Sequence, residues 1–98
     1  MLVGGKPNPP RSVHWPALRL RHLKKEPLCQ YCLTDKDLQV HHIIPVMVDR
    51  SRELDEENLI TLCELRGPKG CHLRIGHHGH WRTYNPDVRA DCRNNRRL

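Results

Sequence analysis

Two cysteine pairs set the limits on what this chain can fold into. Cys29-Gln30-Tyr31-Cys32 is a tight C-x2-C turn, and Cys63 and Cys71 follow with seven residues between them. A tetrahedral zinc site takes four soft ligands on two short turns, because each turn presents two thiolates to the metal without long-range strain. The spacing of the second pair is wide, but the intervening Arg66-Gly67-Pro68-Lys69-Gly70 is turn-forming, so all four sulfurs can meet. The composition shows why such a staple is needed. Among 98 residues there are two Trp, two Tyr and no Phe, and a domain of that size with so few large side chains is marginal on burial alone. A structural zinc held by Cys29, Cys32, Cys63 and Cys71 is the reading these residues favour. A redox CxxC or a set of buried thiols is the other; a thioredoxin-like motif needs a βαβ context that the pattern lacks. Cys92 is left over in a polar stretch and reads as a thiol outside this set, or as a substitute for Cys71.

Lys and Arg number 17 against 11 Asp and Glu, a formal charge of +6. The charge is arranged in blocks. Residues 1–26 hold six basic groups and one acidic, residues 27–65 three and eight, and residues 66–98 eight and two. Basic ends around an acidic middle suit a protein that holds a polyanion with its flanks, and equally a solvated surface. No apolar run is long enough to span a bilayer, so no membrane partner is expected. The start of the chain lacks a signal-peptide core, and five cysteines are an odd number. Both features point to a reducing compartment, by default the cytoplasm.

Residues 1–10, with three Pro and two Gly, read as an extended or disordered arm. Pro16 followed by good helix formers predicts a short basic helix over about 16–25, stopped by Pro27. Leu38-Gln39-Val40-His41-His42-Ile43-Ile44-Pro45 reads as a strand broken at Pro45. Residues 46–57 read as a loop or short turn, and Glu56 to Cys63 as a second strand-like stretch. Leu65 to Gly70 is a Gly/Pro-bounded loop, Cys71 to Ile75 opens a short helix ended by Gly76, and residues 77–98 read as a loosely packed basic tail. Adjacent strand residues face opposite sides, so His41 and His42 cannot share one job: one can face a metal while the other faces a substrate.

The order CxxC, Val40-His41-His42-Ile43-Ile44-Pro45, Asn58-Leu59-x-x-Leu62-Cys63 and Cys71-His72 resembles the HNH endonuclease family over residues 29–75. The resemblance implies an α+β fold: a small ββα-metal (HNH, His-Me finger) domain stapled by a four-cysteine structural zinc, with basic N- and C-terminal arms. It divides the chain into a basic arm with a short helix (1–26), the nuclease domain (27–80) and a basic tail (81–98). Carried over by position, His42 matches the general base that activates water, and His41 and His72 match ligands of the catalytic divalent metal. Asn58 matches the middle Asn that fixes the loop carrying the base. His77 stands where some members have a third ligand, with a flexible His-rich loop as the plainer reading. Where the family often has Lys-Thr after the last His, this chain has Arg74, which can take the phosphate-binding role.

The implied activity is metal-dependent DNA phosphodiester hydrolysis, by nicking or double-strand cleavage. Histidine, titrating near neutrality, suits a base, and a metal with few protein ligands leaves room for phosphate. A histidine pair makes the site soft enough for Mn²⁺, Ni²⁺ or Zn²⁺ to compete with Mg²⁺. Arg19, Arg21, Lys24, Lys25 and the Arg93, Arg96, Arg97 tail are candidate phosphate contacts. The alternative is a zinc-stapled nucleic-acid-binding module without catalysis, which would leave His42 and His72 without work. Free-standing nucleases this small are similar to those of bacteriophages and of minimal restriction or mobile-element systems. A packaging or restriction-system protein is therefore the partner the resemblance implies, and two copies acting together are one way to cut both strands.

Overall fold

The computed structural model describes residues 11–64 and 70–95. The expected N-terminal arm over residues 1–10, the loop at 65–69 and the terminal Arg96 and Arg97 lie outside the described residues. The first helix, α1, runs Trp15–Lys25 with Pro16 in its first turn, where the missing N–H costs nothing. It turns Leu18 and His22 inward. Two strands follow, β1 (Leu38–His42) and β2 (Leu59–Cys63), paired antiparallel with His42 opposite Leu59 and Leu38 opposite Cys63. Strand β1 stops before Pro45 because the chain turns there: the amides of Val48 and Asp49 both bond the Pro45 carbonyl. The polar stretch between the strands holds two 3₁₀ turns, Arg50–Arg52 and Glu56–Asn58, capped by the side chains of Asp49 and Asp55. Residues 56–58, expected at the start of the second strand, belong to the latter turn.

Alternation along the strands places the layers. Leu59 and Val40 pack with Leu18 of α1 on one face of the sheet. Ile60 and Leu62 look the other way, into a core with Cys29, Cys63, Cys71, Val88 and Cys92. That second face is covered by a π-helical turn over His72–Gly76, where a short helix is expected, and by a second helix, α2, over Val88–Asn95.

Helix α2 replaces the loosely packed tail expected from residue 77 onward. Asn85 is buried and organises its start: its Oδ1 accepts from the Asp87 amide, and its Nδ2 donates to the Ile75 carbonyl and to Asp91. Val88 and Cys92, four residues apart on one helix face, are fully buried. Two strands alone leave one sheet face wet, and α2 closes it. Among the described residues no helix is long and apolar enough to cross a membrane.

A knot of polar groups ties the layers together. The Glu26 carboxylate, just past α1, accepts from the Thr61 amide on β2, from His22, and from the Arg89 guanidinium on α2. Arg89 also donates to the Leu59 carbonyl at 2.7 Å. Burial pushes the Glu26 carboxyl up, but the bonds from His22, Arg89 and the Thr61 amide outweigh it and hold it at about 2. These same bonds use the outer backbone groups of β2, so that edge is covered.

Candidate functional site

The four cysteines converge as the sequence leads one to expect. Their sulfurs lie within 4.8 Å of one another, with Cys32 Sγ 3.6 Å from Cys63 Sγ. The first knuckle is shaped by the Cys29 amide bonding the Thr34 carbonyl and by Leu33, which takes the left-handed conformation (φ 64°) that closes the turn. In the second pair Gly70 does the closing. A Cβ there would stand 2.6 Å from Glu64 Cα and 2.8 Å from the Cys63 carbonyl oxygen, so only glycine lets the backbone return close enough to seat Cys71 beside Cys63.

The donor set fits a thiophilic cation. Hydrogen bonding from Cys71, opposed by burial and aided by backbone amides, pulls the Cys29 thiol down to about 4. The hydrogen bond to Cys29 pushes Cys71 up, and burial pushes Cys32 up. Thiolates this close repel one another, and a divalent cation such as Zn²⁺ would supply the compensating charge. Cys92 is buried in the same core but is not one of the four clustered sulfurs.

A second convergence is made of imidazoles: His41, His72 and His77 each offer a nitrogen to a group within 4.8 Å, with His72 Nε2 3.0 Å from His41 Nδ1. The outer nitrogens of His72 and His77 are held by partners. His77 Nδ1 donates to the Thr83 carbonyl at 2.6 Å, which leaves its Nε2 unprotonated. His72 Nδ1 sits 2.8 Å from the Glu64 carboxylate, the kind of support that orients a metal-ligating histidine. Gly76 packs against the His41 ring, and a Cβ there would fall 3.1 Å from its Nε2. Burial, and then the neighbouring His72 and His77, drive His41 well below the usual imidazole range, and burial lowers His77 as well. Three imidazoles converging on one point fit a divalent first-row ion. The π-helical turn makes the trio possible. Residues five apart lie about 140° apart on an α-helix, whereas i→i+5 winding brings His72 and His77 to one side.

His42, on the opposite side of β1, is held separately. Its Nε2 donates to the Glu53 carbonyl at 2.9 Å, so the lone pair is on Nδ1. Trp15 lies against its ring, with centroids 4.5 Å apart and planes inclined by 33°. Burial is the main cause of a lowered His42 pKa, only partly offset by the Glu53 carbonyl and reinforced by Arg11. Asn58 is buried and pins the loop after β1: Oδ1 accepts from the Ile44 amide, and Nδ2 donates to the carbonyls of Ile44 and Arg52. It does not line the cleft, so its geometry is that of a positioning residue.

The two histidine sets share one cleft of about 400 Å³ that runs along β1. Arg11, just before α1, and Trp15 and Arg19 on it form one wall, and His72, His77 and Trp81 the opposite one. Of the basic residues singled out from sequence, Arg19 is there. Arg21 and Lys25 instead bond Glu56, at 2.8 and 2.9 Å, away from the cleft. Lys24 and Arg93 are exposed elsewhere, and Arg74 borders a separate depression with Tyr31 and Asn95. Of the His-rich run, His78 and His80 are exposed while His77 joins the cluster.

Arg11, Trp15 and Trp81 are cleft residues that sequence reasoning did not single out. The signal for the two Trp was their rarity: a chain with so few aromatics spends both beside histidines. Glu64 had no local signal, because its partner His72 is eight residues on across a turn.

Comparison with curated proteins and with solved structures gave no match. The family model described as HNH endonuclease matches residues 29–78, just over half of the chain. That span contains both cysteine pairs, the strand pair and all four histidines of the cleft. The chain belongs to the HNH endonuclease family.

Proposed function

We propose that the protein is a metal-dependent endonuclease that hydrolyses DNA phosphodiester bonds. The observation that carries this reading is the division of labour on β1. His42, with an unprotonated Nδ1, and the His41–His72–His77 cluster open from opposite sides of one strand into the same cleft. A binding module has no use for a buried imidazole whose tautomer is fixed toward solvent space. His41, His72 and His77 would hold the catalytic divalent metal, and Cys29, Cys32, Cys63 and Cys71 a structural zinc. The catalytic ion supplies Lewis acidity to a phosphate oxygen and stabilises charge on the leaving oxygen.

The chain's own part is to position and deprotonate. His42 Nδ1 takes a proton from a water as that water's oxygen bonds phosphorus and the bond to the leaving oxygen breaks. The Glu53 carbonyl stabilises the imidazolium that forms. Asn58 holds the Ile44 and Arg52 backbone, and with it the loop that carries Glu53, at the distance the base needs. All-nitrogen ligation favours Mn²⁺, Ni²⁺ or Zn²⁺ over a purely Mg²⁺-dependent enzyme.

The test is supercoiled-plasmid cleavage at low salt with each of these ions, comparing the zinc-loaded protein with zinc-loaded His42→Ala. The expected outcome is nicking by the first and a loss of about 10²- to 10⁴-fold in the second. DNA binding without cleavage under any ion would overturn the reading in favour of a non-catalytic zinc-stapled module.

A further inference from the structure

The wall of the cleft built from residues 11–19 lies outside the span that matches the family, 29–78. Among the described residues that line the cleft there is no carboxylate, and the only side chains with permanent charge are Arg11 and Arg19. Of the other cations of α1, Lys24 is exposed and does not line the cleft. Arg21 and Lys25 are drawn to Glu56, while neither Arg11 nor Arg19 has a carboxylate partner among the described residues. Unpaired guanidinium groups in a cleft lined by no carboxylate among the described residues are the local answer to a polyanion.

The segment is anchored to the base from two directions. The Ser12 amide donates to the buried Glu53 carboxylate at 2.7 Å, and the Glu53 carbonyl is the group that holds His42. Trp15 lies on the His42 ring, and the Arg11 guanidinium sits 5.9 Å from the centre of the Trp15 ring. Arg11 is therefore placed by the residues that place the base.

We propose that Arg11 and Arg19 grip the DNA strand through the phosphates at and beside the scissile bond, which makes the segment before the first zinc knuckle part of the active site. This rests on the DNA-nuclease reading. It goes beyond general attraction to DNA, because charge acting only at long range leaves the rate at saturating protein unchanged, whereas a grip at the reacting phosphate does not.

The experiment uses the full chain, zinc-loaded, with Arg11→Ala, Arg19→Ala and Lys36→Ala, an exposed cation remote from the cleft. Two quantities are read: single-turnover nicking at saturating protein, and the salt dependence of duplex binding in a non-cutting His42→Ala background. Zinc content and Trp fluorescence verify folding. Expected are rate losses of about tenfold or more for Arg11→Ala and for Arg19→Ala, and a log–log salt slope shallower by about 0.9 for each. Lys36→Ala leaves both unchanged. Arg11→Ala that nicks at the wild-type rate overturns the proposal while wild-type nicking still stands for the nuclease reading. A wild type that never nicks defeats that reading instead, and a salt slope lowered equally by Lys36→Ala overturns the grip in favour of diffuse attraction.

Discussion

Replacing Glu26 by Gln should remove about 2–3 kcal/mol of stability at neutral pH while touching no cleft residue. The carboxylate is 17% exposed, and its partners come from three elements: His22 on α1, the Thr61 amide on β2 and Arg89 on α2. The fall of its pKa from 4.5 to about 2, taken at about 1.4 kcal/mol per tenfold, amounts to about 3 kcal/mol. Gln keeps the acceptor for the Thr61 amide, so the measured loss should sit at or a little under that figure. For a domain whose whole margin is about 5–15 kcal/mol, this is a large share.

The pH dependence has a fixed sign. A carboxyl depressed in the folded state contributes fully above about 4.5 and loses its contribution as pH falls toward about 2. The assay is urea denaturation of both zinc-loaded proteins from pH 8 down to 4. The four-cysteine site is the same in both proteins, so the gap between the two stability curves isolates Glu26. That gap should be constant down to about pH 5 and begin to narrow below it. A gap under about 0.5 kcal/mol at neutral pH, or one that widens on acidification, would refute the account of Glu26 as the link between the layers.

Three further outcomes follow from the geometry. Gly70→Ala forces a Cβ into the Cys63–Glu64 backbone, an overpacking of about 1–3 kcal/mol. It should weaken zinc about tenfold or more in competition with a chromogenic chelator; unchanged affinity would mean the second knuckle closes in some other way. Trp81 is half-exposed, and its ring centre lies 5.1 Å from His72 and 4.9 Å from His77. Titration with Ni²⁺ or Co²⁺ should therefore quench Trp fluorescence, and Trp81→Phe should lose most of that signal; quenching that survives His72→Ala would place the ion elsewhere. Val88→Ala opens a cavity in the face covered by α2 and should cost about 1–3 kcal/mol in the same urea assay, whereas a cost near zero would return residues 88–95 to the status of a loose tail.

What was legible in the sequence is what depends on local periodicity. The opposite facing of His41 and His42 follows from strand alternation alone, and the two cysteine turns announce their own convergence. What was not legible depends on where distant groups come to rest. Arg19, Arg21 and Lys25 are equivalent as residues of a basic helix, yet Glu56, some thirty residues on, takes two of them and leaves the third to the cleft. Helix α2 had a local signal in Asn85-Pro86-Asp87 followed by Val88 and Cys92 four apart, but a basic composition masked it. His77 is the instructive case. On an α-helix its five-residue distance from His72 would turn it away. The π-helical winding of His72–Gly76 reverses this, bringing His77 beside His41 and His72, while Arg74 borders another depression. The winding thus decides that the third imidazole joins His41 and His72, in a cleft whose permanently charged lining residues, Arg11 and Arg19, come from the segment before the first cysteine pair.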